Sequence, residues 1–178
     1  MIPNHIFDIQ RLQRLNFNYT EDHTKLQIEE MKESDMTSCL SLFENTVRNI
    51  NCRDYTAIQI QALLSPKRTL ESWKASFINH KCFVAKLNST IVGFADVDED
   101  GYLDRFYVHY LYQSNGVGKA LLNTIIHWAK EKGMPTLTTH ASITAKPFFE
   151  HFGFQTIKKQ EVIRNNISLT NFVMKKGL

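Results

Sequence analysis

At 113–122 the chain reads QSNGVGKALL, where two glycines join an alternating, strand-like run to a long helix with one apolar face. No other stretch limits the fold so tightly, because it demands a strand end, a tight turn and a helix start within a few residues. The first amides of a helix have no intrahelical partners and carry the positive end of its dipole. Gly116 and Gly118, lacking side chains, allow an anionic oxygen to come up to those amides. The pattern suits a phosphate, above all a pyrophosphate, although two glycines by themselves equally suit a plain turn. The missing residues narrow the ligand. A Walker A loop requires Gly where Gln113 stands and a hydroxyl side chain where Ala120 stands, so the magnesium-binding hydroxyl of a nucleotide hydrolase is not supplied. A dinucleotide fingerprint requires a third glycine where Leu121 stands and a parallel βαβ unit around it, whereas here the strand before the turn belongs to a hairpin series.

The hairpin series follows from a change of period near Lys81. Ahead of it, a short strand is expected over 25–31, where Leu26, Ile28 and Glu30 alternate with Lys25, Gln27 and Glu29. A helix over 36–50 comes next, capped by Ser34 or Asp35, with Met36, Leu40, Phe43 and Val47 at spacings of three and four. TAIQIQALLS gives a second helix stopped by Pro66, and LESWKASFINH a third that runs to about Lys81. Beyond it the period falls to two. CFVAKLN and STIVGFADVD read as strands joined at Asn88 and Ser89, and the turn DEDG leads into YLDRFYVHYL, which predicts an antiparallel meander. In the helix that follows the glycine turn, Val117, Leu121, Ile125 and Trp128 share a face and Gly133 ends the run. MPTLTTHA then reads as a strand, ITAKPFFEHFG as a helix ending at Gly153, and FQTIKKQEVI and SLTNFVMKK as strands. Helices lying between strands in the second half imply an α+β domain with a mixed, mostly antiparallel sheet flanked by helices.

With 178 residues and 43% hydrophobic content, the chain has room for one domain with a sizeable core. Its one compositional seam falls near residue 24. Residues 1–24 are therefore an extension, whose Ile6, Ile9 and Leu12 form a stripe for packing on the domain or on a second copy in a homodimer, and residues 25–178 are the domain. The net charge of +3 is scattered without a basic stripe, which disfavours nucleic acid as a partner. No run approaches the roughly 18 apolar residues of a membrane span, and the first residues lack the apolar centre of a secretion signal, so no membrane partner is expected and the cytoplasm is the expected home. Cys39, Cys52 and Cys82 form no CxxC pair and read as reduced thiols, and the histidines show no ligand spacing, so no metal is expected.

The segment Gln113-x-x-Gly116-x-Gly118 resembles the [QR]-x-x-G-x-[GA] turn of the GCN5-related N-acetyltransferases (the GNAT family), set between a strand ending in Val108 and an apolar helix. Downstream, AKPFFEHFGF (145–154) is similar to that family's A-x-x-F-Y-x-x-x-G-F segment, and the order of elements agrees over roughly 25–175. The resemblance implies a GNAT-like acyl-CoA-binding fold that transfers the acetyl group of acetyl-coenzyme A (acetyl-CoA), its co-substrate, to a primary amine of a small molecule, protein or peptide. It implies that the pyrophosphate rests on the turn formed by Gln113, Ser114, Asn115, Gly116, Val117, Gly118 and Lys119, with Lys119 adding charge. It implies further that the pantetheine arm pairs with the strand at Phe106, Tyr107 and Val108, where a splay from the strand LTTH would leave main-chain groups free. Ser142 stands where many relatives have an Asn that contacts the arm, and Phe149 where they have a catalytic Tyr beside the cofactor.

Direct acetyl transfer needs a base to deprotonate the ammonium and an acid for the leaving thiolate. If DEDG closes a tight turn with Val97 opposite Tyr102, Asp104 faces Ala95 and shares a strand face with Phe106 and Val108, while Asp96 lies on the other face. Some relatives carry a base at the place of Asp104, which makes it the expected base; an aspartate paired with Arg105 or with solvent is the plain alternative. His140 is a second candidate base, or a hydrogen-bonded structural histidine. Phe149 has no proton to give, so the acid is water, Ser142 at the start of the same helix, or a phenol such as Tyr107 or Tyr110, with Ser142 or water preferred. The acceptor cleft is expected from the helices at 36–50 and 56–64, with Arg48, Arg53, Asp54 and Tyr55. The missing tyrosine also motivates a second reading, an acyl-CoA-binding sensor or scaffold without turnover.

Overall fold

The computed structural model describes residues 26–64 and 69–178. Its strands are β1 (Gln27–Glu30), β2 (His80–Leu87), β3 (Thr90–Asp98), β4 (Tyr102–Val108), β5 (Thr136–Ser142), β6 (Gln155–Arg164) and β7 (Ile167–Gly177). Its helices are α1 (Met36–Asn49), α2 (Ala57–Leu63), α3 (Leu70–Ser76), α4 (Val117–Glu131) and α5 (Lys146–His151), with 3-10 turns at Glu33–Asp35, Asn51–Arg53 and Tyr110–Tyr112. The strands make one seven-stranded sheet in the order β1-β2-β3-β4-β5-β7-β6, antiparallel except where β4 meets β5.

Turn chemistry explains the hairpins. Asn88 (φ 50°) and Ser89 (φ 65°) both take the left-handed conformation of a type I′ turn between β2 and β3, and Asn165 and Asn166 do the same between β6 and β7. Between β3 and β4, Asp98 Oδ1 accepts from the amides of Asp100 (2.9 Å) and Tyr102 (2.8 Å), a side chain closing its own turn. Two expectations fail locally. Neither Ser34 nor Asp35 caps α1, because the Asp35 carboxylate accepts instead from the Lys32 amide at 2.9 Å and closes the 3-10 turn ahead of it. The helix expected to reach Lys81 stops at Ser76, since His80 is already held in the ladder opposite Asp98. The extension 1–24 and the stop at Pro66 lie outside the described residues.

The sheet is covered on both faces. Val117, Leu121, Leu122, Ile125 and Ala129 of α4 are buried against Ala95, Val97, Leu103 and Leu137 on one face. Cys39, Leu42, Phe43 and Val47 of α1, with Trp73 of α3, pack on Val84, Phe94 and Leu169 on the other. Each large apolar side chain so buried contributes about 2 kcal/mol. The expected stripes are present in part: Phe43 and Val47 are buried as expected but Met36 and Leu40 only half so, with Cys39 and Leu42 in the core instead, and Trp128 is half-buried with Ala129 beside it fully so. Among the described residues, no helix is long and apolar enough to cross a membrane.

Two irregularities of β4 shape the centre of the sheet. It pairs with β5 only at Tyr102↔Thr138 and Leu103↔Thr139, after which the two strands part. Toward β3, Asp96 pairs with Arg105 and Val97 with Leu103, so Asp104 is an extra residue bulged between them.

Candidate active site

The parting of β4 from β5 leaves main chain facing a gap. His109 donates to Val92 O at 2.8 Å, and by the alternation of the antiparallel ladder Tyr107 also bonds toward β3, so Phe106 and Val108 turn their main-chain groups into the gap. The Val108 carbonyl is already taken, by Gln113 Nε2 at 2.6 Å and Thr46 Oγ1 at 3.1 Å. Gln113 thus ties the turn to the strand end, a structural task that its place in the motif did not reveal. The chain then swings through Ser114 (φ 62°) and Gly116 (φ 80°), the second a conformation that favours glycine. The first helical bond, Ala120 N to Gly116 O at 3.0 Å, leaves the amides of Val117, Gly118 and Lys119 without intrahelical acceptors. At Gly118 a Cβ would stand 3.0 Å from the Phe148 ring, so glycine lets α4 begin against an aromatic wall.

These groups surround a hollow of about 530 Å³. Phe106, Tyr107 and Val108 line it from the strand, and Gln113, Ser114, Gly116, Gly118 and Lys119 from the turn. Asn115 is not in its lining, and the Val117 side chain, 3% exposed, belongs to the core, which leaves only its amide to the turn. A second hollow of about 200 Å³ shares Asn51, Phe106, Tyr107, Ser142 and Ala145 with the first, so the two meet where the strands part.

Asp104, Tyr102, His140 and Tyr55 line the second hollow, together with Arg164 and Asn171 from the β6–β7 hairpin. Ser142 ends β5 rather than beginning α5, and its Oγ accepts from the Ala145 amide at 3.0 Å. Phe149, 2% exposed, lines the smaller hollow and packs on Phe106, Phe148 and Phe154. The Tyr55 hydroxyl donates to Thr170 O at 3.0 Å and accepts from the Ile143 amide at 3.1 Å; burial pushes its pKa up. Tyr110 lines neither hollow, and nor do Arg48, Arg53 and Asp54; the Asp54 carboxylate accepts from Thr144 Oγ1 at 2.6 Å. His140 meets Tyr102 edge to face, with ring centroids 5.2 Å apart.

The bulge corrects one expectation. Asp104 was expected on the strand face of Phe106 and Val108, away from Asp96, but the extra residue turns it toward Asp96 and His80, whose ligand-type atoms and its own lie within 4.8 Å of one another. No sequence spacing suggested this grouping. Arg105 supplies the positive charge between the carboxylates, 3.1 Å from Asp104 Oδ2 and 2.9 Å from Asp96 Oδ2. Its other contacts fix it further: Nη2 donates to Ser76 Oγ at 2.7 Å, and the guanidinium lies 4.2 Å from the Phe77 ring centre. Asp96 is fully buried with His80 Nδ1 at 2.5 Å. Burial pushes its pKa up to about 6, opposed by Arg105 and His80 and reinforced by the charge on Asp104.

An acetyltransferase (GNAT) domain family model matches residues 51–176. The chain belongs to the GNAT family. It is 35% identical over 150 residues to YafP, an uncharacterized N-acetyltransferase of Escherichia coli (strain K12), an alignment covering 84% of this chain and 95% of that one. A GCN5-related N-acetyltransferase structure from Rhodopseudomonas palustris superposes with a TM-score of 0.81 at 26% identity, covering 88% of this chain and 96% of the other. The PaiA N-acetyltransferase of Thermoplasma acidophilum, solved in complex with coenzyme A, shares the fold with a TM-score of 0.70 at 17% identity, over 86% and 99% of the two chains. As a GNAT protein this chain is an acetyltransferase, and the α+β sheet with its parting central strands is the GNAT fold.

Proposed function

We propose that the acetyl group passes from acetyl-CoA, held in the larger hollow, to a primary amine held in the smaller one, across the wall they share. The observation that carries this reading is the meeting of the two hollows at the β4–β5 gap, with a carboxylate on the smaller side. Bound acetyl-CoA supplies the activated acyl group and a thiolate leaving group. The unpartnered amides of Val117, Gly118 and Lys119 receive the pyrophosphate, helped by the main chain of Asn115 and Gly116 and the charge of Lys119, as phosphates are held at helix N-termini elsewhere. Phe106 offers its main-chain groups and Val108 its amide to the pantetheine arm, with Gln113, Ser114 and Tyr107 shaping the wall.

In this reading Asp104 takes the proton of the acceptor ammonium, the amine nitrogen bonds the acetyl carbon as the carbon–sulfur bond breaks, and Ser142, which lines both hollows and whose oxygen accepts from the Ala145 amide, passes its hydroxyl proton to the departing sulfur and takes one in turn from the acylated nitrogen. Phe149 is apolar where the family motif has tyrosine, which favours one competing reading, a domain that binds acyl-CoA without turnover. Release of free coenzyme A thiol with a panel of amines decides between them: sustained release with any amine establishes transfer, and binding without release establishes the sensor. The free thiols of Cys39, Cys52 and Cys82 support a cytoplasmic setting.

A further inference from the structure

We infer that the acceptor is a small amine that also carries an anionic group, its ammonium drawn to Asp104 and its anion to Arg164; this rests on reading the smaller hollow as the acceptor site. The ladder brings the two side chains to one face. Val162 on β6 pairs with Leu169 on β7, and both pack into the core beneath α1, so Arg164, two residues beyond Val162, shares that face. The bulge turns Asp104 to the same side, toward Asp96, which pairs with Cys82 of that core. Both charges line one hollow of about 200 Å³, room for on the order of ten non-hydrogen atoms.

The charges differ in how they are satisfied. Asp104 has Arg105 beside it at 3.1 Å, whereas Arg164 makes no ion pair among the described residues, although it stands at the wall of a cavity. Tyr102 lines the same hollow. Its hydroxyl is pushed up to about 12 by burial, with Asp104 acting in the same direction and Arg164 against, so one group feels both charges. A guanidinium selects planar anions by paired hydrogen bonds, a carboxylate or a phosphate equally. A second positive charge on the acceptor would face Arg164 and be repelled, so the same geometry that admits an ammonium bearing an anion rejects polyamines.

The test uses the full-length protein, coenzyme A thiol release, and matched amine pairs: glycine with glycinamide, and phosphoethanolamine with ethanolamine, with spermidine as the polycation. Acids and amides differ in amine basicity, so the quantity compared is the preference, kcat/KM for the anionic amine over its partner, between wild type and variants. Arg164→Gln should lower that preference at least tenfold and Arg164→Glu should lower it further, for the carboxylate pair, the phosphate pair or both. The pair affected identifies the anion. The coenzyme A-induced rise in melting temperature serves as the folding check for each variant. An unchanged preference in Arg164→Gln, or spermidine as the best substrate of the wild type, overturns the inference and leaves acetyl transfer standing. Absence of thiol release with every amine overturns the proposed transfer itself.

Discussion

Asp104 owes its direction to a single extra residue in β4, and its chemistry can be separated from its structure by a change that keeps shape. Asp104→Asn should leave coenzyme A affinity intact while turnover falls by something like 10² to 10⁴, measured by thiol release. The deficit should shrink at high pH, where the amine is already deprotonated. Full activity of this variant across the pH range removes Asp104 from the role of base. Its identity as an acidic residue near the strand end was legible from the sequence, but its face was not, because simple alternation contains no sign of a bulge and one added residue reverses every side chain before it. Its buried neighbour makes a thermodynamic prediction. The folded chain holds the proton of Asp96 to about pH 6, against an ordinary value of 3.8, so the stability this group contributes is full below 3.8 and is lost as pH rises through about 6. Asp96→Asn, neutral throughout, should therefore gain in melting temperature relative to wild type between pH 4 and pH 7. A difference that stays flat or falls over that range contradicts a raised Asp96.

At the scale of elements, the glycine turn and α4 were the most legible part of the chain, since every group they present comes from one contiguous stretch. Gly118→Asp places a side chain 3.0 Å from the Phe148 ring and a negative charge beside the free amides. Coenzyme A should then fail to raise the melting temperature of a folded variant, the shift that a ligand specific for the native state produces by mass action. Unchanged affinity places the phosphate elsewhere. The hairpin at Asn88 and Ser89 was readable for the same local reason, turn residues tolerant of positive φ. The end of α3 was not, because the ladder opposite β3 claims His80 against its helical pattern. The acceptor wall was the least legible: Asn51 with Tyr55, Asp104, His140 and Arg164 come from four separate parts of the chain, and only the completed sheet brings them to one cavity.

For the whole molecule, the cofactor groups all lie between positions Thr46 and Phe152 of the sequence, downstream of residues 1–24. Removing those residues should preserve coenzyme A binding, read as the same melting shift, even if mass in solution changes; loss of binding in a folded truncated chain gives the extension a part in the site. The shared wall between the hollows has a kinetic meaning as well. Two chambers that share part of their lining let both reactants be present together, and no thiol lines either to carry the acyl group between them. Cys39 and Cys82 are buried, with thiols that burial pushes up to about 12, and Cys52 lines neither chamber. Initial rates should therefore give intersecting double-reciprocal lines, the signature of a ternary complex, and no acetylated protein should accumulate when amine is withheld.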